Sequence, residues 1–139
     1  MQDFNFFYNN LIIIPFLSFI LSVVLKWILL RFSTWEWNVS RALWSWWMPS
    51  AHSSVVVSIS TAMAIKYWIS SDYFALAMAF TVIIIYDAIN VRFEAWLHAS
   101  AINESIWEKK FKESLWHLPS EAFAWSVLWI IVAVICYYI

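Results

Sequence analysis

Glycine is missing from all 139 residues of this sequence. Average usage of roughly 7% predicts about ten glycines in a chain of this length. Tryptophan, which is normally rare, occurs 12 times. The surplus of one residue type therefore nearly matches the deficit of the other.

Charge and cysteine are also scarce. Charged residues make up 12% of the chain, and the net charge is −1. Neither a basic arm nor an acidic tail is present, so we expect no nucleic-acid ligand. The single cysteine, Cys136, cannot form an internal disulfide. The first ten residues lack a positively charged region and a small-residue cleavage site, so we expect no removable signal peptide.

Apolar residues dominate the composition. They make up 64% of the chain, and the mean hydropathy is +0.73. Soluble domains have roughly 45–50% apolar and about 25% charged residues, so the composition indicates a membrane protein. The length allows one domain, which we assign to residues 1–139.

Four apolar stretches are candidates for membrane helices: Leu11–Leu30, Ser53–Ile69, Asp72–Ile89 and Glu121 to the end of the sequence. A hydrocarbon core of roughly 30 Å takes about 20 residues of helix. The first, third and fourth stretches are long enough, whereas the second is shorter and richer in serine. Packing inside a bundle would explain those serines. We expect an all-α polytopic bundle of about four transmembrane helices, with the third helix extending beyond the membrane towards Asn103.

Lysine and arginine predict the orientation of these helices. They concentrate in the first and third connections, at Arg31 and Arg41 and at Arg92, Lys109, Lys110 and Lys112. The positive-inside rule then places both connections in the cytoplasm and the two ends of the chain outside. A bacterial cytoplasmic membrane is the expected location.

Ionisable residues near the helix ends fall on that same side of the membrane. They are Lys26, His52, Asp87, Arg92, His117 and Glu121. Charged groups at the membrane border are costly and mark functional sites by default. Their convergence at one depth therefore predicts a site on the cytoplasmic side.

Each histidine of this set also has a simpler interpretation. His52 is either an interfacial residue beside a Ser50 cap or a ligand of an anion at a helix N-terminus. Glu121 follows His117 by four residues, and a glutamate in the first turn favours any helix. The functional alternative is a carboxylate that fixes the imidazole tautomer.

The remaining charges are less specific. Asp87 and Arg92 are five residues apart, so we expect them not to stack on one helix face. Lys26 could snorkel to the interface, and Lys112 is the residue of the polar third connection that could reach a site. Glu94 and His98 could pair locally, which makes His98 structural. The sequence has neither a His-Glu-x-x-His motif nor a cluster of thiols, so we expect no metal site.

Three motifs in order give the sequence a specific resemblance: Met-Pro-Ser-x-His-Ser from Met48, Tyr-Asp-Ala-x-x-Val-Arg from Tyr86 and His-x-Pro-x-Glu from His117. Residues 41–130 resemble the divergent branch of the phosphatidic acid phosphatase type 2 and vanadium haloperoxidase superfamily. The resemblance implies a membrane phosphatase acting on a lipid-linked or amphiphilic phosphate monoester, without a metal or other cofactor. Assembly into a homo-oligomer is compatible with these expectations.

The resemblance also implies roles for the site residues. His117 would attack phosphorus, Glu121 would orient it, and His52 would protonate the leaving oxygen and then activate water. Phosphate would be bound by Arg92, by Lys26 or Lys112, and by the backbone at Ser50 and Ala51. Asp87 would have a supporting role.

This chain departs from the main superfamily in four places. It has Pro-Ser-Ala-His in place of Pro-Ser-Gly-His, Phe111 in place of an arginine, and Glu121 in place of an aspartate. The early Lys-x(6)-Arg-Pro motif is absent. A non-catalytic protein of the same fold, which binds a phosphorylated lipid or protein partner, is therefore the alternative function.

Tryptophan stands at positions where that family has glycine: Trp46, Trp47, Trp96, Trp116, Trp125 and Trp129, and by extension Trp44, Trp68 and Trp107. A phosphate-binding turn needs residues that tolerate positive φ and a close anion. Our hypothesis is that UGA codons read as glycine in the cell have been translated as tryptophan.

Overall fold

The computed structural model describes residues 6–34, 50–106, 110–111, 113 and 118–138. The helices of these ranges are α1 (Phe6–Asn9), α2 (Ile13–Thr34), α3 (Ala51–Tyr67), α4 (Asp72–Tyr86), α5 (Arg92–Ser105) and α6 (Pro119–Tyr138). A π-helical turn, Asp87–Val91, joins α4 to α5 without a break. The predicted all-α architecture is confirmed, and the four predicted apolar stretches correspond to α2, α3, α4 with its extension, and α6.

Three helical segments of the described chain are long and apolar enough to cross a membrane: Ile13–Phe32, Asp72–Ser105 and Pro119–Tyr138. The second of them has 34 residues. At about 1.5 Å per residue it is longer than a bilayer core of about 30 Å. The prediction that the third helix extends beyond the membrane is therefore confirmed.

Helix α3 is shorter, with 17 residues, and lies at the centre of the bundle. It packs against α2, α4 and α6. Its buried residues are small: Ser53, Ser54, Val56, Val57, Ser58, Ser60 and Ala62. Small side chains let neighbouring helices approach closely, so the serines that set this stretch apart in the sequence form its packing surface.

Several hydroxyl groups inside the bundle have nearby acceptors, whereas the buried Ser18 Oγ has no partner among the described residues. Ser54 Oγ donates to the carbonyl of Ala51 at 2.7 Å, and Ser58 Oγ donates to that of Val55 at 3.1 Å. Between helices, Thr81 Oγ1 of α4 lies 2.7 Å from Ser60 Oγ and 3.0 Å from the carbonyl oxygen of Val56. Such bonds hold helices together where no water is available as a partner.

The outside of the bundle is apolar. Large side chains such as Phe16, Phe80 and Ile83 are exposed, while Ser18 and Ser22 are fully buried. A soluble monomer rarely exposes an extended apolar surface. The inverted distribution is that of a helical bundle with its outer face in lipid.

Two buried clusters establish the direction of each helix. One joins Leu11, just before α2, and Ile14, in its first turn, to residues at the ends of α3 and α6. The other joins Val56 and Val57, near the start of α3, to Leu25 of α2, Ile84 of α4 and the middle of α6, which lies before the α6 residues of the first cluster. Helices α3 and α6 therefore run opposite to α2 and α4. The start of α3, the end of α4 and the start of α6 lie at the same end of the bundle.

Candidate functional site

The site is built around the start of α3. Ser50 is the N-cap of this helix, and its Oγ accepts a hydrogen bond from the N–H of Ser53 at 3.3 Å. The capping hydroxyl of serine stabilises a helix start of this kind. Ala51 and His52 consequently occupy the first turn, where backbone N–H groups have no helical acceptor and the positive end of the helix dipole lies. The predicted cap is present.

His52 is exposed and lies within the electrostatic reach of three charges. They are Lys26 from α2 and Asp87 and Arg92 from the junction of α4 and α5. Three chain segments far apart in sequence therefore meet at one helix N-terminus. Four residues predicted for the site, Lys26, His52, Asp87 and Arg92, lie together.

These surroundings affect the protonation of His52, which precedes the apolar run of α3. Partial desolvation is the largest cause, and together with the positive charges of Arg92 and Lys26 it lowers the pKa of His52 from its usual value. The negative charge of Asp87 opposes the effect. A lowered pKa leaves the imidazole neutral at pH 7, able to accept a proton. A bound phosphate dianion would, like Asp87, raise the pKa of His52 and favour its protonated form.

The π-helical turn brings Asp87 and Arg92 together. Arg92 Nε donates to Asp87 Oδ2 at 2.9 Å, and the backbone N–H of Arg92 donates to the carbonyl of Asp87. The expectation that residues five apart do not share a face was wrong. It assumed α-helical spacing, whereas a π turn closes i→i+5 bonds and aligns those residues. Single π turns inside α-helices are frequent at functional sites.

Lys26 lies inside the bundle. Its side chain is 5% exposed, so it does not extend along the lipid-facing surface. A buried lysine in a membrane helix is costly and faces polar partners or a cavity. Its burial beside His52 favours the site interpretation over the snorkelling alternative.

Glu121 has a structural contact at the start of α6. Its Oε2 accepts a hydrogen bond from the backbone N–H of Leu118 at 2.9 Å. A glutamate three positions after the N-cap reaches back in this way in a capping box. Helix α6 also contacts the π turn, which places it next to the Asp87–Arg92 pair. His117 and Lys112, the two other predicted site residues, lie outside the described residues.

Asn103, near the end of α5, was not predicted. The residue is 6% exposed and makes four hydrogen bonds. Its Nδ2 donates to the carbonyl of Phe111 and to Glu113 Oε1, both at 2.8 Å. Its Oδ1 accepts from the backbone N–H groups of Lys110 and Phe111, at 3.1 and 3.0 Å. Asn103 thus anchors the connection that leads to the predicted nucleophile. One asparagine before a polar connection gives no signal of this role in the sequence.

Comparisons with known proteins agree with this description. The Divergent PAP2 family matches residues 7–132 of the chain. The "uncharacterized membrane protein YuiD" of Bacillus subtilis (strain 168) is 31% identical over 111 residues, which are 66% of this chain and 70% of that protein. No solved structure matches the chain. The family match includes every predicted site residue.

Proposed function

This chain belongs to the Divergent PAP2 family, and from that premise we propose that it is a membrane phosphatase for a lipid-linked or amphiphilic phosphate monoester. One observation carries the proposal: His52 lies in the first turn of α3, within reach of Lys26, Asp87 and Arg92. A helix N-terminus with two cations beside it binds a phosphate group. A histidine of lowered pKa at the same place supplies proton transfer.

The proposed reaction has two halves. In the first, an imidazole nitrogen of His117 attacks phosphorus, the ester P–O bond breaks, and His52 gives its proton to the leaving alkoxide. In the second, His52 takes a proton from water, and the resulting hydroxide attacks the phosphohistidine. The P–N bond breaks, and inorganic phosphate and free His117 are released.

Each remaining residue has a role in this scheme. Arg92 and Lys26 stabilise the negative charge that grows on the phosphoryl oxygens, together with the N–H groups at the start of α3. Asp87 keeps the guanidinium of Arg92 in place through the 2.9 Å ion pair. Glu121 orients His117. Its carboxylate has several acceptor positions, so a bond to the imidazole is compatible with the bond to Leu118.

The place of the site in the bundle indicates the substrate class. It lies where the start of α3 and the end of α4 meet, at one end of an apolar bundle. A phosphate bound there stays at the polar border while an attached hydrocarbon chain remains in lipid. A lipid phosphate fits this geometry better than a fully soluble ester, and the lysine and arginine distribution assigns this end to the cytoplasmic side.

The decisive measurement is release of inorganic phosphate from a panel of lipid phosphates in detergent micelles. We expect His117→Ala and His52→Ala each to lose at least 100-fold in rate, since general acid–base catalysis alone contributes about 10²–10⁴-fold. His98→Ala is the matched control, because His98 is exposed on α5. It should keep the rate of the parent chain. A His117→Ala variant with the parent rate would exclude the phosphohistidine route.

Trapping the intermediate separates the two histidines. With a phosphorus-labelled ester whose leaving group needs no proton, acid-sensitive and base-stable label should accumulate on the protein in His52→Ala, since the water-activating group is missing from the second half. No label should remain in His117→Ala. Label in both variants would assign the nucleophile to another residue.

A non-catalytic function is the alternative, and the contacts of two residues favour it. Arg92 is already paired with Asp87, and Glu121 already caps α6. Both contacts would serve a protein that only binds a phosphorylated lipid. In that case phosphate release stays at background, and lipid-phosphate binding is lost in Arg92→Gln while His117→Ala still binds.

A further inference from the structure

The end of helix α3 holds a residue in a conformation that belongs to glycine. Trp68 follows the helix with φ 74 and ψ 154, and no other residue of the described ranges has positive φ. This backbone region is essentially restricted to glycine, because the Cβ of any other residue collides with the neighbouring peptide. Glycine is also the usual residue just after a helix end.

The surroundings of Trp68 offer no compensation for this conformation. The side chain is 70% exposed, so little indole packing offsets the strained backbone. The backbone of Trp68 is what the turn uses. Its carbonyl accepts the N–H of Ser71 at 3.2 Å and the Ser71 hydroxyl at 2.8 Å. The turn therefore requires the backbone geometry of this position and not its side chain.

Trp129 is unusual for an independent reason. It is completely buried, and its Nε1 has no hydrogen-bond partner in the described part of the chain. Its cluster consists of apolar groups, led by Val56 and Val57 of α3. A buried tryptophan normally finds an acceptor for its N–H, since an unpaired polar group in an apolar interior is costly.

The buried residues of α3 and α6 on either side of Trp129 are mostly small. On α6 the buried positions before and after it are Ala122 and Ala133. On α3 the buried surface is mainly serine, valine and Ala62. Small residues at this spacing allow membrane helices to pack backbone to backbone. A glycine at position 129 continues that surface, whereas an indole interrupts it.

We infer that the polypeptide made in the cell carries glycine at positions 68 and 129, each encoded by a UGA codon. Position 68 needs the backbone freedom of glycine, and position 129 needs its small size. The composition agrees, because the chain has 12 tryptophans and no glycine. Glycine at position 129 would let α6 approach α3 more closely beside Val56 and Val57.

The test is to read the codons and to measure the masses of the peptides that contain both positions, from protein purified from the source organism. UGA at both positions, with peptide masses that correspond to glycine, supports the inference. UGG at either position overturns it. So does UGA with a peptide mass that corresponds to tryptophan, or glycine at one position alone. Neither readout depends on phosphatase activity, so this result stands apart from the proposed function.

Discussion

Replacing Trp68 tests whether the end of α3 requires glycine. Trp68→Gly and Trp68→Ala both remove the indole, so both lose the same side-chain contacts, and the difference between them isolates the backbone. At an ordinary helical position glycine is less stable than alanine by roughly 0.5–1 kcal/mol. At φ 74 and ψ 154 the order should reverse.

The magnitude follows from two opposing contributions. A residue with a Cβ in this region costs about 1–3 kcal/mol. Glycine avoids that cost but gives the unfolded chain more freedom, which amounts to about 0.4–1 kcal/mol. We therefore expect Trp68→Gly to exceed Trp68→Ala by about 1–2 kcal/mol in free energy of unfolding, a factor of about 5–30 in the ratio of folded to unfolded protein.

Unfolding by a denaturing detergent added to mild micelles, followed by far-ultraviolet circular dichroism, measures this difference. Ala75→Gly is the matched control, because Ala75 is an exposed residue of α4 with ordinary helical geometry. That variant should lose about 1 kcal/mol. If Trp68→Ala is as stable as Trp68→Gly, or more stable, the backbone at this position does not require glycine.

Four further predictions concern the site, the bundle and the connection after α5. In Asp87→Asn the pKa of His52 should fall further, because a negative charge that raises it is lost. Nuclear magnetic resonance titration of labelled histidine measures this pKa, and an unchanged or higher value would show that Asp87 does not act on His52. In the parent chain kcat/KM should decline as pH rises through the pKa of His52, because the leaving oxygen needs its proton; a rate that rises over that range would refute this role. Thr81→Val should destabilise the bundle by about 0.6–1.7 kcal/mol, the range for hydrogen bonds between membrane helices, and leave phosphate release unchanged. An unaltered midpoint of unfolding in detergent would mean that the contacts of Thr81 with Ser60 and Val56, at 2.7 and 3.0 Å, do not stabilise the bundle. Asn103→Asp loses both N–H donors and faces Glu113 with a like charge, so trypsin should cleave after Lys110 at least tenfold faster, and equal cleavage rates would show that Asn103 does not anchor this connection.

The helices were largely predictable because membrane burial imposes a simple pattern on the sequence. A run such as Leu11–Leu30 has one stable backbone in lipid, since every peptide group must be paired within the chain. The ambiguity of Ser53–Ile69 was also meaningful. That stretch became α3, which is surrounded by other helices and can therefore be shorter and more polar.

The details of the site were less predictable. Its residues Lys26, His52, Asp87 and Arg92 could be placed at one end of the bundle from charge and hydropathy alone. Their pairing could not, because it depends on a π turn that no periodicity rule includes. The four hydrogen bonds of Asn103 were also out of reach, since they depend on how a polar connection folds back on α5.

The π turn marks a point where the chain can lose one residue and keep the alignment of its helix. It holds one residue more than a regular α-helical turn, so removal of a single residue between 87 and 91 would leave a continuous α-helix in its place. Arg92 would then follow Asp87 by four residues, the spacing at which two side chains lie on one face of an α-helix, so the pair would be kept. Most single substitutions there would keep the alignment of Arg92 with Asp87. A three-nucleotide deletion within this segment would keep it too, whereas the same deletion in the α-helical part of α4 or α5 would turn every later residue of that helix by about 100° around its axis.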